Sequence, residues 1–368
     1  MPTRTGLAPS TRTLLSLAAA IVVLAGVHEA RGVLAPLFLA AVLVIIAHPV
    51  RKPLVRRGWP GWLATSVVVA IVYAILAALA AMLTFAGVKF GELVQQYLSD
   101  LQSTANDVVA RLNDLGLQTS GSDAVTQWLE PSKLLSLATS ISGTLVGIAS
   151  TLFVICAYAI FMAADGARYE QARDLFGDTR GPIIDRTEAF NGGVRRYFVV
   201  SATFGGIVAI IDGLALWALG VPAPAVWAIL AFVTNFIPNI GFVLGLIPPA
   251  VLALVVGGWP LMLVVIGVYC VVNVVLQVLV QPKFVADAVN ISLTLSFVSV
   301  LFWTFIIGPL GAILAIPLTL LLRAFVLEGD PDTRWLRWLS GDTEAAPRPA
   351  VPAAKDADDD EADAPQPA

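Results

Sequence analysis

The chain is patterned in long apolar runs separated by short polar segments, with almost no strict alternation between the two. The runs stand at about 13–28, 33–49, 62–87, 136–163, 197–219, 223–256, 259–281 and 288–325. Continuous runs of this kind predict helices that cross a bilayer, whereas alternation would predict a membrane barrel. Two runs are too long for one helix each. The run 223–256 contains "NFIPNIGFVLGLIPPA" at 235–250, and 288–325 contains "GPLG" at 308–311. Pro238 lacks an N–H and Gly241 weakens a helix, so an interruption is predicted there. Folded back at that point, an arm of about 15 residues reaches ~22 Å, short of a hydrocarbon core of ~30 Å. The competing reading is a pair of short full crossings at each run, with no repeat.

Each interrupted run directly follows an ordinary span, 197–219 or 259–281, and by chain parity those spans run in opposite directions. The expected fold is therefore an all-α integral membrane protein, a multi-span helical bundle with two broken helical hairpins in an inverted repeat. Interrupted backbone at membrane depth is tolerated only inside protein or against a wet cavity.

Charge orients this arrangement. Arg51, Lys52, Arg56 and Arg57 follow the second run, and six arginines lie within 164–196. Both segments fall on one side by parity, and an excess of Lys and Arg marks the cytoplasmic side, so both termini are expected there. Residues 1–87 then hold three spans, and 88–135 form an extracytoplasmic amphipathic helical segment. Residues 136–196 hold the fourth span and a cytoplasmic connector, and 197–327 the core of two inverted units. Residues 328–368 form an acidic tail, which its Pro/Ala-rich composition predicts to be disordered. In 88–135, Phe90, Val94, Tyr97, Leu101, Ala105, Val108, Leu112 and Leu115 step by three or four. That stripe serves either the chain's own bundle or a second subunit. Asn191-Gly192-Gly193 is expected to break the connector from the next span. Arg4 and Arg12 before the first run resemble a signal peptide, but a second apolar run follows without a small-residue cleavage site. An uncleaved first span is expected.

Composition narrows the function classes. With 58% hydrophobic and 13% charged residues, the chain is no ordinary soluble domain. From Gly341 onward eight acids oppose Arg348 and Lys355, which leaves the body at +2 against a formal net charge of −4. Nothing there suggests nucleic acid. Cys156, Cys270, His28 and His48 give little scope for a disulfide or a metal site.

Several stretches together carry a resemblance: "NFIPNIGFVLGLIPP", "LVQP" at 279–282, "LFWTFIIGPLGAILAIPLT", "FMAADGARYE" and "IDGLALWALGVP". Over roughly 30–325 the chain resembles the autoinducer-2 exporter family of bacterial membrane proteins. The resemblance implies a multi-span, homo-oligomeric carrier in the bacterial inner membrane, exporting autoinducer-2 or exchanging sodium for protons. The chain departs from the family pattern at Ser201-Ala202, where many members carry Gly-Gln, and in "AVNISLTLS", which lacks a familiar proline.

Asp212 is the acid placed clearly inside a span, because Glu29, Asp165 and Asp287 sit at edges. An intramembrane carboxylate is costly and points to ion coupling, or else to a hydrogen bond with a neighbouring helix. Asn235, Pro238, Asn239 and Gly241 at the first break are candidate solute-binding residues, because interrupted helices present free backbone dipoles. Asn273, Gln277 and Gln281 recur at four-residue steps and share one face, as a pathway lining or as glue between helices. Pro248, Pro249, Gly308, Pro309, Gly311 and Pro317 are expected to shape the hairpins. No catalytic residue, metal ligand or cofactor is expected, since hydrolase, zinc-protease and Walker motifs are missing. The expected partners are the lipid bilayer and a small polar solute or a monovalent cation, with coupling to a proton or sodium gradient.

Overall fold

The computed structural model describes residues 8–114, 150–166, 168–281, 291–327 and 333–341, and among them it is helical with no strand. The helices are α1 (Pro9–Glu29), α2 (Arg31–Ala47), α3 (Arg51–Arg56), α4 (Gly61–Gln96) and α5 (Leu98–Asp114). They are followed by α6 (Ser150–Gly166). Next come α7 (Ala172–Ala218), α8 (Pro224–Thr234), α9 (Gly241–Asn273), α10 (Leu293–Ile307), α11 (Pro309–Leu322) and α12 (Arg334–Leu339). Five helical stretches are long and apolar enough to cross a membrane. Phe153, Trp217 and Phe305 are more than 70% exposed, a surface that water would not tolerate and lipid does. The chain is a multi-pass membrane protein.

Packing between the helices uses small side chains. Ala40, Ala64, Ala159, Ala253 and Ala315 are wholly buried. In lipid no hydrophobic effect drives helices together, so close backbone approach and dispersion carry the association. One cluster joins α2 and α7 to α10 and α11, a second joins α2 to α4 and α6. A third joins the ends of α4 and α7 to α8 and α9.

Both expected interruptions are present. After α8 the backbone turns through 235–240, with Asn239 at φ 63°, before α9 begins at Gly241. Within α9, Gly258 at φ 68° divides a first arm, 241–257, from the ordinary span that follows. At the second site Gly308 (φ 79°) separates α10 from α11, and Pro309 opens α11, where a missing N–H costs nothing. Each hairpin closes on a glycine. A Cβ on Gly241 would lie 1.9 Å from the Thr234 carbonyl oxygen, and one on Gly311 would lie 2.0 Å from that of Trp303. Pro248 and Pro249 sit inside the first arm, and Pro317 inside α11, without breaking either helix.

Two expectations need correction or restriction. Asn191-Gly192-Gly193 does not break the chain: α7 runs through it, and its one non-helical residue is Arg180 (φ −130°), just before Gly181-Pro182. A proline ring clashes with the preceding turn, whereas glycine only lowers propensity. The amphipathic stripe does not begin a separate helix, because α4 continues unbroken to Gln96. Phe90, Val94, Tyr97 and Leu101 pack on the chain's own bundle, lining an apolar cavity of about 170 Å³ with Trp227, Pro248, Val251 and Leu252. The side chains of Ala105, Val108, Leu112 and Leu115 lie outside the described residues. Arg51, one of the charges used to orient the chain, is 9% exposed and ion-paired with Glu170, with Thr65 as a further partner.

Candidate functional site

Small and polar residues on one face of α7 build the wall of the site. Ser201, Gly205 and Asp212 are all buried there. Gly205 lets α8 approach so closely that a Cβ would sit 2.8 Å from the Asn235 amide nitrogen. Asn235 caps the end of α8, and its Nδ2 donates to the Ser201 carbonyl at 2.8 Å. Its Oδ1 accepts from Gln277 Nε2, also at 2.8 Å. One amide thus ties α7, the first break and the far end of α9 together. Gln277 reaches it from a π-helical stretch, Val274–Val280, a local widening often found at functional positions.

Asp212, Asn235, Gly241 and Gln277 meet at a single small cavity of about 10 Å³, with Thr234, Gly245 and Tyr269 completing its polar and close-packed walls. That volume is about what one water requires. Asp212 is 2% exposed, and its Oδ1 has no hydrogen-bond partner among the described residues. Tyr269 Oη lacks one as well. Buried oxygens without partners are rare because each costs stability.

The other candidates stand elsewhere. Pro238 and Asn239 form the turn itself: the Pro238 carbonyl accepts from Ile240 N at 2.7 Å, and Asn239 is exposed. Free backbone at the break is largely satisfied, since the Phe236 carbonyl accepts from Tyr197 Oη at 3.3 Å and the Ile237 carbonyl from Gly241 N. Asn273 is outside the cavity lining, with its Oδ1 buried and without a partner among the described residues, and Gln281 follows the π-helical stretch. The widened turn breaks the four-residue step that would have kept them on one face. The second hairpin is packed differently. Trp303 Nε1 donates to Thr319 Oγ1, which donates to Ser299 Oγ at 2.9 Å, so its polar groups satisfy one another.

Sequence reasoning missed Tyr269, Thr234, Ser201 and Gly205. Tyr269 stands four residues before Asn273, so extending the polar stripe by one step would have found it. Ser201 acts through its backbone and Gly205 through a missing side chain, which no polarity pattern records. No cluster of three or more metal-ligating side chains occurs among the described residues.

The chain is similar to several bacterial proteins. A protein of Haemophilus influenzae is 27% identical over 339 residues, covering 90% of this chain and 97% of its own. The AI-2 transport protein TqsA of Escherichia coli K12 is 27% identical, covering 85% and 90%. YhhT of the same strain is 26% identical, covering 86% and 90%, and its name carries a provisional transport assignment. Residues 17–329 match the AI-2E family transporter family, and the chain belongs to that family of membrane transporters.

Proposed function

We propose that this chain is a secondary transporter that exports a small polar solute, with Asp212 binding the proton or monovalent cation that drives the step. The observation carrying this reading is the pair of buried, unpartnered oxygens, Asp212 Oδ1 and Tyr269 Oη, at one cavity beside a broken hairpin. An anionic group in lipid is costly unless it takes up a proton or a cation. Asn235 and Gln277 beside it offer neutral donors and acceptors to a hydroxylated solute. The name of the relative TqsA makes autoinducer-2 the first solute to test. In this reading the two span-plus-hairpin units are inverted, both termini are cytoplasmic, and homo-oligomers sit in the bacterial inner membrane.

A second reading, sodium/proton antiport through Asp212, is favoured by the cavity size, since about 10 Å³ suits a water or a bare ion better than a solute. Purified protein in sealed vesicles separates the two. Export predicts autoinducer-2 flux driven by an imposed gradient, abolished in Asp212→Asn. Antiport predicts sodium-driven proton movement without added solute, abolished by the same change. Coupled flux that survives Asp212→Asn removes Asp212 from both readings.

A further inference from the structure

The segment after the second hairpin contains "RWLRWL", folded as α12, inside a stretch whose composition predicts disorder. Four of its six residues are exposed, and two of these are tryptophans: Trp335 at 62% and Trp338 at 56%, with Leu339 at 64%. At 100° per residue, Trp338, Trp335 and Leu339 share one arc of the helix, while Arg337 and Arg334 occupy the adjoining one. Water does not favour such a surface on a short helix, and the helix is not held by its own length.

What holds α12 is the second hairpin. The Ser340 carbonyl accepts from Ser292 N at 2.9 Å, at the residue that caps α10 through its side chain. Gly341, at φ 107°, lies so close that a Cβ would meet Ser292 N at 2.6 Å and the Ile291 carbonyl carbon at 2.9 Å. Thr333 Oγ1 donates to the Leu327 carbonyl, pinning the other end to the close of the preceding helix. α12 therefore sits across the open end of the hairpin, where α10 enters and the chain leaves after α11. Leu293, the first residue of α10, is 80% exposed, and Phe297, Leu301 and Phe305 continue that exposed apolar face toward the tip. Exposed Leu339 and exposed Leu293 flank the Ser340–Ser292 bond on either side.

We propose that α12 is an interfacial clamp: Trp335, Trp338 and Leu339 seat in the headgroup–acyl boundary of the bilayer, and the Ser340–Ser292 bond holds the mouth of the second hairpin to that depth. The occupant is lipid because the apolar arc continues a face that meets lipid already, and tryptophan beside arginine suits the membrane interface.

Spin labels placed singly at residues 335, 336, 338 and 339 of the full chain, with Cys156 and Cys270 replaced by alanine, test this in phosphatidylethanolamine–phosphatidylglycerol vesicles. Labels at 335, 338 and 339 should meet oxygen more readily than a water-soluble nickel chelate, whereas 336 should be shielded from both. Greater access to nickel at 338 and 339 would put the helix in water and overturn the proposal. Shielding from both reagents there would show a protein partner instead, and overturn it equally. Trp335→Ser with Trp338→Ser should speed amide exchange at 291–296 by about fivefold or more. Unchanged exchange, with the helix still folded, would remove the clamp.

Discussion

Tyr269 and Asp212 each keep one oxygen in the membrane that no described residue satisfies. If Tyr269 were there for packing, its hydroxyl would be a pure cost of about 1–3 kcal/mol. Tyr269→Phe keeps the ring and removes that oxygen, so it should raise the stability of the resting protein by about 1 kcal/mol. The same change should slow coupled flux at least about tenfold, a loss of ~1.4 kcal/mol in the transport step. Thermal unfolding and vesicle flux measured on one preparation give both numbers; a drop in stability with unchanged flux would make the hydroxyl structural. The Arg51–Glu170 pair behaves in the opposite way. Its side chains are 10% and 25% exposed, so Glu170→Gln leaves a charge without its partner and should destabilise by about 3 kcal/mol. Replacing both by apolar residues, Arg51→Met with Glu170→Leu, should recover most of that loss in the same unfolding measurement. Asp212, Asn235 and Gln277 were legible as polar residues in an apolar setting. The Arg51–Glu170 pair was not legible, because its partners stand 119 positions apart.

The broken hairpins were the most legible elements, and the reason is steric. Proline and glycine inside a run too long for one helix leave the chain few other courses. Closure of each hairpin depends on one missing Cβ. Gly241→Ala and Gly311→Ala would force a methyl into a backbone carbonyl, so each should cost about 1–3 kcal/mol and shift thermal unfolding in detergent accordingly. Gly267→Ala is the control. Nothing lies within 4 Å of its Cβ position in the middle of α9, so helix propensity alone should add about 0.5–1 kcal/mol. Equal effects at all three positions would contradict the close-packed hairpins. The same contrast explains the failure at Asn191-Gly192-Gly193. A Cβ on Gly192 meets nothing within 4 Å, and Val194, Tyr197 and Phe198 are buried just beyond it. Packing of that next turn outweighs the weak local propensity. The π-helical stretch at Gln277 left no mark in the apolar pattern of 259–281.

At the scale of the whole molecule the site is narrow. A cavity of about 10 Å³ between α7, α8 and α9 admits a water-sized guest, so in the proposed reading a solute enters only if the first hairpin leaves the wall of α7. No run of residues encodes that, since a sequence pattern records which faces pair and not how far they separate. The seam itself can be pinned. A Cβ on Gly213 would lie 3.0 Å from that of Ala228, so the two helices need part only slightly to reach the ~3.5–4.5 Å of a disulfide, and neither residue lines the cavity. Gly213→Cys with Ala228→Cys, in a chain whose Cys156 and Cys270 are alanine, should form a bridge between α7 and α8 on oxidation. Solute flux should then fall at least about tenfold and return on reduction, because the barrier raised is a conformational one. Flux that persists through a fully formed bridge would show that the solute does not pass between α7 and the hairpin. Sodium–proton exchange surviving alongside blocked solute flux would mean that ions reach Asp212 through a gap too small for the hairpin to control, which separates the two proposed readings by mechanism as well as by cargo.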